Sequence, residues 1–132
     1  MELSAAQRER YERNLLVEGF TDRMQQALIA ARVAVVGAGG LGSAALNYLV
    51  AAGVGHLTLI ENDTVSLSNL QRQVLYTTAD MGRPKAEVAA MRLSRLNPGC
   101  DIRVVTDRLT AANAAGLLGG HDAVVDCTDN YD

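Results

Sequence analysis

One stretch constrains this chain more than any other: Arg32-Val33-Ala34-Val35-Val36, followed at once by Gly37-Ala38-Gly39-Gly40-Leu41-Gly42. A compact β-branched run bounded sharply by glycine reads as a buried strand. Four glycines in six residues weaken strand and helix alike, so they imply a turn whose backbone must bend tightly or be closely approached. Ser43 to Ala52 is rich in Ala and Leu with Gly53 as its stop, which favours a helix. Strand, tight turn and helix in immediate succession are the opening of a parallel α/β unit.

The rest of the chain repeats that alternation. Its 132 residues make one domain's worth, and with 48% hydrophobic residues, 4% aromatics and no tryptophan the core must come from Val, Leu, Ile and Ala. That suits a parallel sheet covered by Ala-rich helices. His56–Ile60 reads as a second strand, Ile102–Val105 as a third and Ala123–Val125 as a fourth. Between them lie a helix behind Pro84, with Ala86, Ala89, Leu93 and Leu96 on one face, and another over Ala111–Leu118. Before the first strand, residues 4–18 and Asp22–Ala30 read as helices, the first capped by Ser4. We therefore expect an N-terminal helical arm over 1–31 and a Rossmann-like, doubly wound parallel sheet over 32–132, in strand order 3-2-1-4. Ligand would lie beyond the carboxyl ends of strands one and four, where the winding reverses, with Gly37–Gly42 beside Cys127–Asn130. The polar stretch Asn62–Asp80 is long for a loop, which points to function or mobility.

Gly37, Gly39 and Gly42 match G-x-G-x-x-G at a strand-to-helix junction, where free N–H groups can meet a phosphate. Glu61, ending the second strand, can accept hydrogen bonds from ribose hydroxyls. These features fit NAD as well as ATP. Asn69-Leu70-Gln71-Arg72-Gln73 and then Lys85 add a guanidinium, amides and an ammonium suited to a polyphosphate, although on spacing alone Arg72 and Lys85 read equally well as solvated surface charges. Asp126-Cys127-Thr128-Asp129-Asn130 could hold Mg²⁺ against phosphate oxygens, or could be an Asp/Asn turn with local caps.

Other function classes find less support. A net charge of −3 gives no basic footprint for nucleic acid. No apolar run approaches the roughly 20 residues that span a bilayer, and the first 30 residues, mixed in charge, carry no apolar signal core. Cys100 and Cys127 do not make a disulfide framework, which suits a reducing, cytoplasmic setting. Cys127 at a strand end reads as a small buried residue rather than a nucleophile, and His56 and His121 lack metal-ligand spacing.

Five segments in order resemble the ThiF/MoeB/HesA family, relatives of the ubiquitin-activating enzymes: Arg10–Asn14, the glycine turn, Asp63–Gln73, Gly82–Lys85 and Asp126–Asn130. The resemblance runs from Arg10 to the last residue. It implies ATP–Mg²⁺ and an adenylyltransferase that activates the C-terminal carboxylate of a ubiquitin-like sulfur-carrier protein, usually ending Gly-Gly, for thiamine or molybdopterin synthesis. It further implies that Gly40 lies against the nucleotide and that Glu61, where the family more often has Asp, holds the ribose. By the same resemblance Asp63, Asn69, Arg72, Gln73, Lys85 and Asn130 contribute to the nucleotide site, Asp129 binds Mg²⁺, and Arg13 reaches into the partner's site of a homodimer. Full-length relatives commonly continue with two Cys-x-x-Cys pairs binding structural Zn²⁺, and those ligands are absent here. We therefore expect a chain truncated at its C-terminus, with the flank of its fourth strand bare, and poorly soluble or inactive by itself. An NAD-dependent oxidoreductase and a non-catalytic nucleotide-binding remnant are the competing readings.

Overall fold

The computed structural model describes residues 2–128, so Asp129 and Asn130 lie outside the described residues. Four parallel strands form one sheet in the order β3-β2-β1-β4, as the alternation of elements predicts. They are β1 (Arg32–Val36), β2 (His56–Ile60), β3 (Asp101–Val105) and β4 (Ala123–Asp126). Val33 stands opposite Leu57 on one side and Ala123 on the other, and that register holds to Val36, between Ile60 and Asp126.

Period-two alternation divides the strand residues between two faces. Val33, Val35, Leu57 and Leu59 pack with Leu46 and Val50 of helix α4 (Gly40–Ala52) and Ala86, Val88, Ala89 and Leu93 of α5 (Lys85–Leu96). On the opposite face Val36, Ile60 and Val105 meet Leu109, Leu117 and Leu118, the last two from α6 (Ala114–Leu118). β4 pairs only with β1 among the described residues, and Val124 is 45% exposed.

The N-terminal helices seat on the C-terminal end of α4. The single helix expected over residues 4–18 is broken into α1 (Ala5–Arg10) and α2 (Glu12–Leu15) at Tyr11. Tyr11 is buried, and its hydroxyl accepts from Asn97 Nδ2 at 2.8 Å, so a tertiary contact overrides the local helical preference there. From α2 and α3 (Asp22–Ala30), Asn14 and Gln25 both donate to the Ala52 carbonyl, at 3.1 and 2.9 Å, satisfying the end of α4.

Three other details differ from the sequence reading. Helix α4 starts at Gly40, inside the glycine turn, and not at Ser43. On α5 the expected Ala86, Ala89 and Leu93 are buried, but Val88 joins them and Leu96 is 43% exposed. The long loop is a built element: two short 3-10 turns, Leu67–Asn69 and Thr78–Asp80, flank buried Gln73, Leu75 and Tyr76. Buried Asp80 ties it down, accepting from the Thr77 N–H at 2.7 Å and pairing with Arg92 at 2.7 Å and Arg83 at 3.3 Å.

Candidate functional site

The carboxyl ends of the strands open onto one cleft of about 1040 Å³. Its floor is the glycine turn. Gly37 donates to the Ile60 carbonyl at 2.9 Å and adopts φ +96°, a left-handed conformation that favours glycine. A Cβ on Gly42 would stand 2.1 Å from the Gly37 carbonyl oxygen, so only glycine lets α4 rise this close to β1. Gly40 differs. A Cβ there would meet only the Arg72 side chain, at 3.5 Å, an ordinary contact, so packing within the chain does not explain this glycine. Gly39, the N-cap, has no side chain to cap the helix, and the first-turn N–H groups of α4 have no partner four residues back. They lie where the helix dipole favours an anion.

Cations face that floor. Lys85 opens α5, and its neighbourhood is set by a small antiparallel clip: Thr64 bridges Pro84, Val65 donates to Arg83 O at 2.9 Å, and Lys85 N–H donates to Asp63 O at 3.0 Å. The clip brings Lys85 Nζ to 3.6 Å from the Asp63 carboxylate with only 5% of the lysine side chain exposed. A solvated surface lysine would not be buried, so the solvated reading fails for Lys85. Arg72 stays exposed, lies over Gly40, and donates to Ser68 O at 3.2 Å. Gln73 is 3% exposed, lines the cleft beside Gly39, and leaves Oε1 without a partner in the described chain. A buried amide oxygen left unpaired in a polar cleft is what a bound ligand or water would satisfy. Asn69 also lines the cleft; its Oδ1 accepts from Ser66 N–H and Oγ and fixes the turn that presents Arg72.

Carboxylates complete the wall. Glu61 is raised above the usual carboxylate range, chiefly by burial, against the opposing pull of Lys85; Asp63 adds to the rise, and the Asn62 and Ala38 N–H groups counter it. Asp126 is held below its usual range by the Thr128 hydroxyl and N–H, at 2.7 and 3.0 Å from Oδ1. The local Asp-turn cap considered for this segment therefore forms at Asp126, on the cleft wall.

Glu61, Asp63, Asn69, Arg72, Gln73 and Lys85 thus converge with Gly37, Gly39 and Gly40 on the one cleft, and Gly42 supports it from behind. Asp129 and Asn130 lie outside the described residues. Arg13 does not join them: it is exposed on α2 and outside the cleft of its own chain. Cys127 is half-buried with its thiol pushed up by burial and by Asp126. His121 is engaged structurally, Nδ1 with Leu118 O at 2.9 Å and Nε2 with Thr58 Oγ1 at 2.8 Å. Sequence reasoning missed Asp107, Arg108 and Leu109 in the cleft wall. They follow the carboxyl end of β3, and the rule that ligands collect there would have found them.

The ThiF family matches residues 11–132. Over 129 residues the chain is 51% identical to the molybdopterin-synthase adenylyltransferase of Escherichia coli K12, covering 98% of this chain and 52% of that protein. It is 45% identical over 121 residues to the sulfur carrier protein ThiS adenylyltransferase of the same organism, covering 92% of this chain and 48% of that protein. Among solved structures, the E. coli tRNA N6-threonylcarbamoyladenosine dehydratase in complex with ATP superposes with a TM-score of 0.91 at 35% identity, over 98% of this chain and 53% of that one. The chain spans about half the length of the curated relatives it matches. With its glycine turn, long polar loop and strand order in place, it belongs to the ThiF family.

Proposed function

We propose that this chain forms the ATP site of an adenylyltransferase acting on the C-terminal carboxylate of a ubiquitin-like sulfur-carrier protein ending Gly-Gly, of the kind that serves molybdopterin or thiamine synthesis. The observation that carries the reading is the buried Lys85 ammonium facing a glycine turn that packing alone does not require at Gly40. Dinucleotide sites leave a pyrophosphate largely to backbone N–H groups; a buried lysine with Arg72 beside it suits a triphosphate from which pyrophosphate must depart. The names of two relatives, at 51% and 45% identity, support a sulfur-carrier substrate.

In this reading the first-turn N–H groups of α4 and the Gly39 N–H hold phosphate oxygens, and Glu61 accepts from the ribose hydroxyls. Asn69, Arg72, Gln73 and Lys85 grip the polyphosphate. The carrier's carboxylate attacks the α-phosphorus, the bond to the β-phosphate oxygen breaks, and an acyl-adenylate and pyrophosphate result. Lys85 and Arg72 stabilise the negative charge that gathers on the leaving pyrophosphate. Mg²⁺ needs only one or two carboxylates besides phosphate oxygens. Asp126, on the cleft wall with its pKa lowered by Thr128, fits that requirement, and we assign it together with Asp129 to the ion. When bound, Mg²⁺ would neutralise triphosphate charge. Zn²⁺ has no fit here: the two cysteines sit on separate strands' ends, and no group of three metal-binding side chains occurs among the described residues.

Arg13, exposed on α2, is assigned to the partner's cleft in a homodimer. No helix among the described residues is long and apolar enough to cross a membrane, and the free cysteines suit the cytoplasm. ATP–pyrophosphate exchange tests the function. Exchange that depends on Mg²⁺ and on a Gly-Gly-ended carrier supports it. Binding of NAD in place of ATP would establish the oxidoreductase reading, ATP binding without exchange the non-catalytic one, and exchange stimulated by tRNA instead of a carrier would move the substrate class.

A further inference from the structure

Ala38 is fully buried in the middle of the glycine turn, and its carbonyl accepts two hydroxyls, Tyr76 Oη at 2.7 Å and Ser43 Oγ at 3.3 Å. Tyr76 comes from the clamp loop and is 4% exposed; Ser43 lies on the inner face of α4 and is fully buried. No cis peptide bond occurs among the described residues, so the Ala38 C=O and the Gly39 N–H of the same peptide unit point in opposite directions. Two buried hydroxyls drawing the carbonyl inward therefore turn the Gly39 N–H outward, and Gly39 lines the cleft. We propose that Tyr76 and Ser43 are positioning residues: together they fix the plane of the Ala38–Gly39 peptide and aim the Gly39 N–H at a phosphate of the bound nucleotide. This deepens the ATP reading and rests on it for the identity of the ligand. The same contact joins the loop carrying Arg72 and Gln73 to the glycine turn.

Tyr76→Phe and Ser43→Ala each remove one hydroxyl and leave the other on the carbonyl, so neither strands a buried acceptor. Each single variant is expected to raise the ATP Kd about 3- to 5-fold, and the double variant about 30-fold or more, since only the double loss frees the peptide to rotate. Tyr48→Phe, on an exposed side chain away from the cleft, is the control that leaves Kd unchanged. A purely structural role would lower Tm without touching the Gly39 amide. The decisive readout is therefore its ¹H–¹⁵N resonance, which shifts downfield on adding ATP to the wild type and does not in the double variant. Unaltered ATP affinity in the double variant, or ATP binding to the wild type with a stationary Gly39 resonance, overturns the proposal. If the wild type binds no nucleotide, it is the ATP reading that falls. The latch is then judged in the ligand-free protein, where the Gly39 resonance must move when both hydroxyls are removed.

Discussion

Substitution of two glycines in the same turn should have opposite consequences. At Gly40 a Cβ meets only the flexible Arg72 side chain at 3.5 Å, and the backbone there lies outside the positive-φ region. Alanine at such a position restricts the unfolded chain, which stabilises the fold by about 0.4–1 kcal/mol and raises Tm by roughly 2–6 °C. At Gly42 the added carbon would stand 2.1 Å from the Gly37 carbonyl oxygen and 2.7 Å from its carbon, both backbone atoms that cannot swing away. Relief requires α4 to move off β1, for which about 3 kcal/mol is a fair magnitude, a drop of roughly 10 °C or more. Binding should follow the reverse order of damage. The methyl of Gly40→Ala intrudes where a phosphate would touch the backbone, and losing one charge-assisted hydrogen bond of about 1.5–3 kcal/mol weakens ATP about 10- to 100-fold. Thermal denaturation with calorimetric ATP titration on both variants checks this. A Gly40→Ala protein that gains stability and still binds ATP within about 2-fold of wild type would refute the reasoning, because no ligand would then occupy the space that Gly40 leaves open.

Four further outcomes are expected. Lys85→Ala should cut ATP–pyrophosphate exchange by about 100-fold or more with a smaller loss of ATP affinity, as for removal of a group that stabilises transition-state charge; a loss confined to KM would place Lys85 in ground-state binding only. Mixing Arg13→Ala with Lys85→Ala subunits should restore about a quarter of wild-type exchange if Arg13 serves the partner's cleft, whereas no restoration would tie Arg13 to its own subunit. Asp80→Asn should destabilise the protein at neutral pH by about 2–3 kcal/mol through its charged partners. Burial alone would raise the Asp80 pKa, but Thr77 and Arg92 outweigh it and the folded value is lowered. Its contribution is therefore present above the unfolded carboxylate pKa of about 4 and fades as pH falls through the lower folded value. The gap between Asp80→Asn and wild type should close at acid pH, as urea melts across a pH series would register. Removing Mg²⁺ with EDTA should weaken ATP binding by about 100-fold, which titration calorimetry would read directly.

The sheet was legible in the sequence because its central strands are short β-branched or leucine-rich runs cut off by glycine or charge, and the crossovers between them leave little choice of order. What escaped depended on contacts between distant residues. Ser43 reads as the first residue of a helix, yet α4 starts three residues earlier at Gly40 with uncapped N–H groups, against the low helix propensity of glycine, and the Ser43 hydroxyl turns inward to Ala38. Tyr11 interrupts a helix because Asn97, far along the chain, holds its hydroxyl. The loop of residues 62–84 has no periodicity to read, and its order comes from Asp80 with Arg92 and Tyr76 with Ala38. The site residues themselves were legible as types and spacing. Their burial was not: Arg72 and Lys85 looked alike in the sequence, and only the Asp63–Arg83 clip distinguishes a buried ammonium from an exposed guanidinium.

The charges lining the cleft set an electrostatic condition on any polyphosphate that binds there. Among the described residues, Arg72, Lys85 and Arg108 face Glu61, Asp63, Asp107 and Asp126 across it, three cations against four carboxylates. Lys85 already answers Asp63, and its field reaches Glu61. A triphosphate entering this cleft would add several negative charges to a surface that is not net positive, in a partly desolvated setting where Coulomb terms exceed their value in water. In the proposed reading a divalent ion at Asp126 and an arginine from a second subunit would each add positive charge to this lining, which ties the proposals for Mg²⁺ and for Arg13 to a single electrostatic requirement.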